Sequence, residues 1–116
     1  MTSVLVVGYD PQAIPGIDGT ALREALDAEL ARFGDHGIDA AMTLLVLDGS
    51  AERTLVTSLA ERRWDVVVIG AGIRRTEQLL PLFEQTLNLV HRHAPRAAIA
   101  FNTNGGDSVE AARRHL

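Results

Sequence analysis

The chain has 116 residues, 47% of them hydrophobic, a formal net charge of −4 and a pI near 5.5. That fits one domain, residues 1–116, with a core that needs neither disulfide nor metal, and it argues against a nucleic-acid partner, because phosphate affinity comes from clustered positive charge. Cysteine is absent and all 11 basic residues are arginine, which excludes thiol chemistry, Schiff-base catalysis and a Walker-type phosphate loop.

In chain order, Ser3-Val-Leu-Val-Val-Gly8 is an unbroken apolar run that predicts a strand buried on both faces. No secretory leader pattern precedes it, and no stretch approaches the ~20 apolar residues that a membrane span needs. The expectation is a soluble cytoplasmic protein with no membrane partner. Tyr9-Asp10-Pro11, Pro15-Gly16 and Asp18-Gly19 then make a long connection, the kind that is functional or mobile in compact domains. A helix is predicted from Thr20, capped by Asp18 or Thr20, with Leu22, Leu26, Leu30 and Phe33 as its buried stripe. Gly34 and Gly37 bracket its exit.

A second strand is expected over 41–47, ending in Asp48-Gly49-Ser50, and a helix over 51–63 with Ser50 as its cap. Asp65-Val-Val-Val-Ile69 is the most strongly patterned strand of the chain, and it runs into Gly70-Ala71-Gly72 and the pair Arg74-Arg75. Pro81 is comfortable only in a first turn, so the next helix spans 79–93. Its core side reads as Leu80, Phe83, Leu87 and Val90. Leu79, Leu82, Thr86 and Leu89 form an adjoining apolar strip, so wide a face that part of it is expected to meet another subunit. A last strand over 97–101 leads to Asn102-Thr103-Asn104-Gly105-Gly106. Asp107 and Glu110 then suggest a capping box for a short terminal helix.

The order βαβαβαβα predicts a three-layer α/β sandwich on a four-stranded parallel sheet, with the flavodoxin-like order 2-1-3-4. That order sets the loop at Gly8-Tyr9-Asp10 against the loop from Gly70 to Arg75, at the C-terminal ends of the strands where such folds bind ligands. Gly70 and Gly72 let backbone N–H groups approach an anion, with Arg74 as a bidentate clamp; the competing reading is a tight turn with solvated arginines. Asp10 and Asp48 suit either an acid/base or Mg²⁺ pair or ordinary turn residues. A phosphoacceptor receiver is excluded, since the third strand ends in Gly70 and lysine is absent. Glu84, Asn88 and His91 share one shoulder of the 79–93 helix, as a carboxylate orienting a histidine would, or as a plain solvated edge. Asn102 and Asn104 are either ligand donors or backbone caps.

The stretch Gly70-x-Gly72-x-Arg74, Leu82-Phe83-Glu84 with Asn88, Ala94-Pro95 and Phe101-Asn102-Thr103 resembles an uncharacterised family of small single-domain bacterial α/β proteins. The resemblance covers the C-terminal half and implies no activity. It does imply that Arg74, Glu84, Asn88 and Asn102 belong to one site. Gly105 and Gly106 stand where that pattern leads one to expect a proline nearby.

Two functional readings follow. One is a pocket for a small anion, phosphate or carboxylate, at the C-terminal ends of the first, third and fourth strands. Tyr9, Asp10, Gly70, Gly72, Arg74, Asn88, Asn102 and Asn104 are its ligand-binding candidates, and Glu84, Asp10 and His91 its catalytic candidates. No metal site is assigned, the cofactor is left open, and so is whether the protein is an enzyme. The other reading is a non-catalytic module that self-associates through the 79–93 helix. A dinucleotide site stands third, motivated only by Asp48 after the second strand.

Overall fold

A computed structural model of the chain describes residues 2–116. Four strands, β1 (Ser3–Tyr9), β2 (Asp39–Leu45), β3 (Val66–Ile69) and β4 (Ala98–Phe101), pair in parallel in the order β2-β1-β3-β4. Register places Val4 to Val7 of β1 opposite Val66 to Ile69 of β3, and these in turn opposite Ala98 to Phe101 of β4. The β-branched run that predicted two-sided burial is the central strand β3, all four of whose residues are buried. The helices are α1 (Thr20–Asp35), α2 (Ala51–Ala60), α3 (Ala71–Arg74), α4 (Leu80–His93) and α5 (Ser108–Arg113). Single 3₁₀ turns at Pro11–Ala13 and Glu77–Leu79 precede α1 and α4.

Alternation along the strands makes the three layers. Leu5, Val7, Val67 and Ile69 point to one face and pack with Leu55 and Leu59 of α2 and Leu82 and Val90 of α4. Val4, Val6, Val66 and Val68 point to the other and pack with Phe33 of α1 and Val109 and Ala112 of α5. The α1 and α5 layer is tied by a buried carboxylate. Glu29, 5% exposed, accepts from the Val109 N–H at 3.0 Å and pairs with Arg32 at 2.6 Å, while Arg32 reaches on to Glu110 at 2.7 Å. No helix is long and apolar enough to cross a membrane among the described residues.

Four local expectations need correction. The second strand lies over Asp39–Leu45, two residues earlier than its apolar centre suggested, because Asp39 and Ala40 pair with Ser3 and Val4 at the sheet's entrance. On α4 the adjoining strip turns inward, and of the expected core side only Val90 is fully buried. Leu82, Thr86, Leu89 and Val90 are buried, whereas Leu80 is 56% exposed and Phe83 and Leu87 are half-buried. β4 is the edge strand, so no further strand covers the strip of Leu80, Phe83 and Leu87. Thr86 tolerates its burial because its hydroxyl donates to the Leu82 carbonyl at 2.8 Å. Asp107 and Glu110 form no capping box: Asp107 accepts from the Thr103 and Asn104 N–H groups, and Glu110 takes Arg32. Leu22, read as core, is 43% exposed.

Candidate functional site

Parallel strands bring their C-terminal ends together, and here those ends frame a concavity of 360 Å³. Its floor is largely backbone. Gly8 is next to last in β1, Gly70 follows β3, Gly72 lies in α3 and Gly105 lies after β4. Gly70 is tightly packed, since a Cβ there would sit 3.2 Å from the Val7 carbonyl oxygen. Gly72 differs: it is exposed, and a Cβ there meets nothing within 4 Å.

The walls are apolar. Ile14 and Pro15 come from the long connection after β1, Leu22 and Leu26 from the first turns of α1, and Leu79 from the turn before α4. The connection reaches the cavity because its two ends are drawn together. Gly19 packs so closely on Pro11 that a Cβ would lie 2.6 Å from the Pro11 carbonyl carbon. Asp10 accepts from the Gln12 N–H at 2.9 Å and Asp18 from the Thr20 N–H at 3.0 Å, so both ends are held by side-chain turns. The hydrogen bonds from the Thr20 N–H and then its hydroxyl hold Asp18 below the usual carboxylate range.

Of the residues singled out from the sequence, Tyr9, Gly70, Gly72, Asn102 and Asn104 line this cavity. Asn102 is 3% exposed, and its amide is occupied on both sides. Oδ1 accepts from the Ala71 N–H at 2.7 Å and Nδ2 donates to the Ser108 Oγ at 2.9 Å. Asn102 therefore fastens the start of α3 and the start of α5 to the end of β4. Asn104 caps its own turn, accepting from the Gly106 N–H at 2.7 Å. The turn is pinned by Asp107, whose carboxyl titrates low: its partial burial opposes this, but the Thr103 hydroxyl and the Asn104 and Thr103 N–H groups outweigh the burial.

Arg74 lies outside the lining. Its Nη2 donates to the Asn102 carbonyl at 2.7 Å, and its guanidinium sits 5.6 Å from the centre of the Phe101 ring. Asp10 is likewise occupied by its turn. Glu84, Asn88 and His91 are exposed along α4, away from the cavity, and the Asn88 amide donates to the Glu84 backbone carbonyl at 2.9 Å rather than to its carboxylate. Asp48 accepts from the Ser50 N–H at 2.7 Å, and the Ser50 hydroxyl and N–H keep its pKa low. Asp10 and Asp48 thus serve separate turns. Among the described residues no three His, Asp or Glu side chains group as metal ligands.

The wall residues Ile14, Pro15, Leu22 and Leu26 were missed as site residues. One signal was available: a helix that follows a parallel strand starts at that strand's C-terminal end, so apolar residues in its first turns overhang the site. The chain matches no protein-family model and none of the curated proteins against which it was compared.

Proposed function

We propose that this domain binds a small molecule with an apolar, ring-bearing body in the cavity at the C-terminal ends of β1, β3 and β4. The observation that carries the reading is the lining. A concavity of 360 Å³ falls within the ~300–1,000 Å³ typical of ligand sites, and it lies at the switch point of an open parallel sheet. Apolar walls face a glycine floor that lets a flat group approach the backbone. Tyr9, Thr76 and Gln78 add polar groups beside them to fix orientation.

The reading is one of binding and assigns no reaction to the polar groups in the lining. Arg74 lies outside that lining, so the phosphate or carboxylate expected on it is not carried forward as the ligand of this cavity. The reading keeps the resemblance to the uncharacterised bacterial α/β family in its fold alone: of the four residues that it implies in one site, Arg74 and Asn102 meet, whereas Glu84 and Asn88 lie apart along α4. It also places the domain in the cytoplasm, which suits a chain without cysteine.

Thermal unfolding against nucleosides, aromatic acids and sugar phosphates tests this, with Gly72→Leu beside the wild type. A ligand at about 100 times its Kd adds about 2.7 kcal/mol, a rise on the order of 10 °C for a domain of this size. Ring-bearing compounds are expected to stabilise the wild type and not Gly72→Leu. The reading fails if no compound stabilises the wild type, or if the variant responds equally.

A second reading, self-association, is favoured by one feature. Leu80, Phe83 and Leu87 of α4 continue onto edge strand β4, where Phe101 is 37% exposed and meets Phe83 edge-to-face at 6.2 Å. Sedimentation of wild type and Leu80→Glu/Phe101→Lys tests it: a dimer that the double variant abolishes supports this reading, and a wild-type monomer at high concentration ends it.

A further inference from the structure

The chain is acidic overall, yet the opposite end of the sheet is basic. There α2 and α4 both finish, and between them lies a second concavity of 240 Å³. Arg62 and Arg63 after α2, His93 at the end of α4 and Arg96 in the turn to β4 surround it. Its base is apolar, with Leu59, Trp64 and Pro95. No carboxylate is among the lining residues.

The four basic side chains are not equivalent. Arg62 is held in place: it pairs with Asp39 and its guanidinium stacks 4.8 Å from the centre of the Trp64 ring. The Trp64 indole is itself fixed, donating from Nε1 to the Ser58 carbonyl at 3.0 Å. Arg63 and Arg96 have no ion-pair partner among the described residues. No acid lines the concavity: Asp39 pairs with Arg62, while Glu61 and Asp65, which flank Arg62 and Trp64 in the chain, lie outside the lining and form no ion pair among the described residues.

Basic residues at helix C-termini often do no more than complement the helix dipole. The magnitudes argue against that as a full account. Each helix end carries roughly −0.5 of a charge, so two ends amount to about −1. The lining itself holds three arginines and no carboxylate, more positive charge than the two helix ends offset, with Asp39, Glu61 and Asp65 all outside it. Positive charge therefore remains in excess on a concave surface. Its guanidiniums come from two chain segments, which is an arrangement suited to gripping an oxyanion from two sides.

We propose that this concavity binds the phosphate or pyrophosphate group of a small molecule, with Arg63 and Arg96 as its direct ligands and Arg62 held beside them by Trp64. The site is independent of the apolar cavity at the other end of the sheet, and either can fail without the other.

Trp64 is the chain's single tryptophan, so its fluorescence reports on this concavity directly. The experiment titrates inorganic phosphate and inorganic pyrophosphate at constant ionic strength, balanced with sodium chloride. The proteins are wild type, Arg63→Ala/Arg96→Ala, and Arg75→Ala, which removes an exposed arginine at the other end. The expected result is a saturable change for wild type and Arg75→Ala, weakened at least tenfold in the double variant. Arg63→Lys/Arg96→Lys should bind between the two, since it keeps charge and loses the bidentate fork. A response that merely follows ionic strength overturns the proposal. A saturable response undiminished in the double alanine variant also overturns it. Thermal melting of the variants confirms that they are folded when measured.

Discussion

The two ends of the sheet carry concavities of opposite character. The C-terminal end has a glycine floor, aliphatic walls and carboxylates tucked into turns at Asp10, Asp18, Asp48 and Asp107. The N-terminal end has an indole base and basic residues at its rim. The difference follows from the topology. In a parallel α/β unit every strand ends where a helix begins, and helix starts attract short acidic residues that satisfy free N–H groups. Helix ends gather at the opposite face, where arginine and histidine are favoured. An anion at the C-terminal end would meet that acidic rim without a guanidinium in the lining to offset it, whereas at the other end the surplus is already positive. The place where this architecture commonly holds ligands is therefore, in this chain, better suited to an apolar ligand.

Variants at each end should separate the two. The largest expected effect is from Asn102→Ala, which strands the Ala71 N–H and the Ser108 hydroxyl in a buried position. It should cost about 2–3 kcal/mol and lower Tm on the order of 10 °C, and loosen the apolar cavity while leaving the Trp64 response to pyrophosphate intact. Calorimetry and fluorescence on one sample check both halves, and loss of the Trp64 response would show that the two ends are coupled.

Gly19→Ala comes next. Its Cβ would press on Pro11 backbone, so overpacking of about 1–3 kcal/mol is expected. Binding in the apolar cavity should weaken with it, because Ile14 and Pro15 ride on that loop. A variant as stable as the wild type would mean that the loop relaxes freely.

Smaller still is Arg63→Ala/Arg96→Ala, which should stay within about 0.5 kcal/mol of the wild type, as exposed surface changes do. Denaturant unfolding measures this. A marked loss would mean that the arginines hold the ends of α2 and α4 together.

The smallest effect is in acid. Asp107 titrates lower when folded than when unfolded. Its contribution to stability is thus complete above the unfolded carboxylate pKa of about 3.9 and fades as pH falls through the lower folded value. Asp107→Asn should flatten that part of the acid limb in melts between about pH 5 and 2, and an unchanged acid limb would show that the turn hydrogen bonds carry no such linkage.

Much of the fold could be read from local pattern. The run Val66 to Ile69 has only one arrangement that buries both of its faces, a central strand, and the parallel order follows from helices between strands. The wide apolar face of α4 was also visible. Which half of it turns inward was not, because the two strips adjoin and the answer depends on β4 being the edge strand. The candidate site divides in the same way. Tyr9, Gly70, Gly72, Asn102 and Asn104 were legible, since strand ends converge in any open parallel sheet. Arg74 was recognised as notable, but no spacing rule foretells that its guanidinium meets the Asn102 carbonyl.

Local pattern in the chain was enough for the four strands, the layers and the ends at which ligands would be sought, because periodic apolar spacing and glycine positions act over a few residues. Which polar groups remain available is a matter of packing. Asn102 meets Ala71 across 31 positions and Glu29 meets Val109 across 80, and such partners are chosen by how the layers pack, not by any neighbour in the chain.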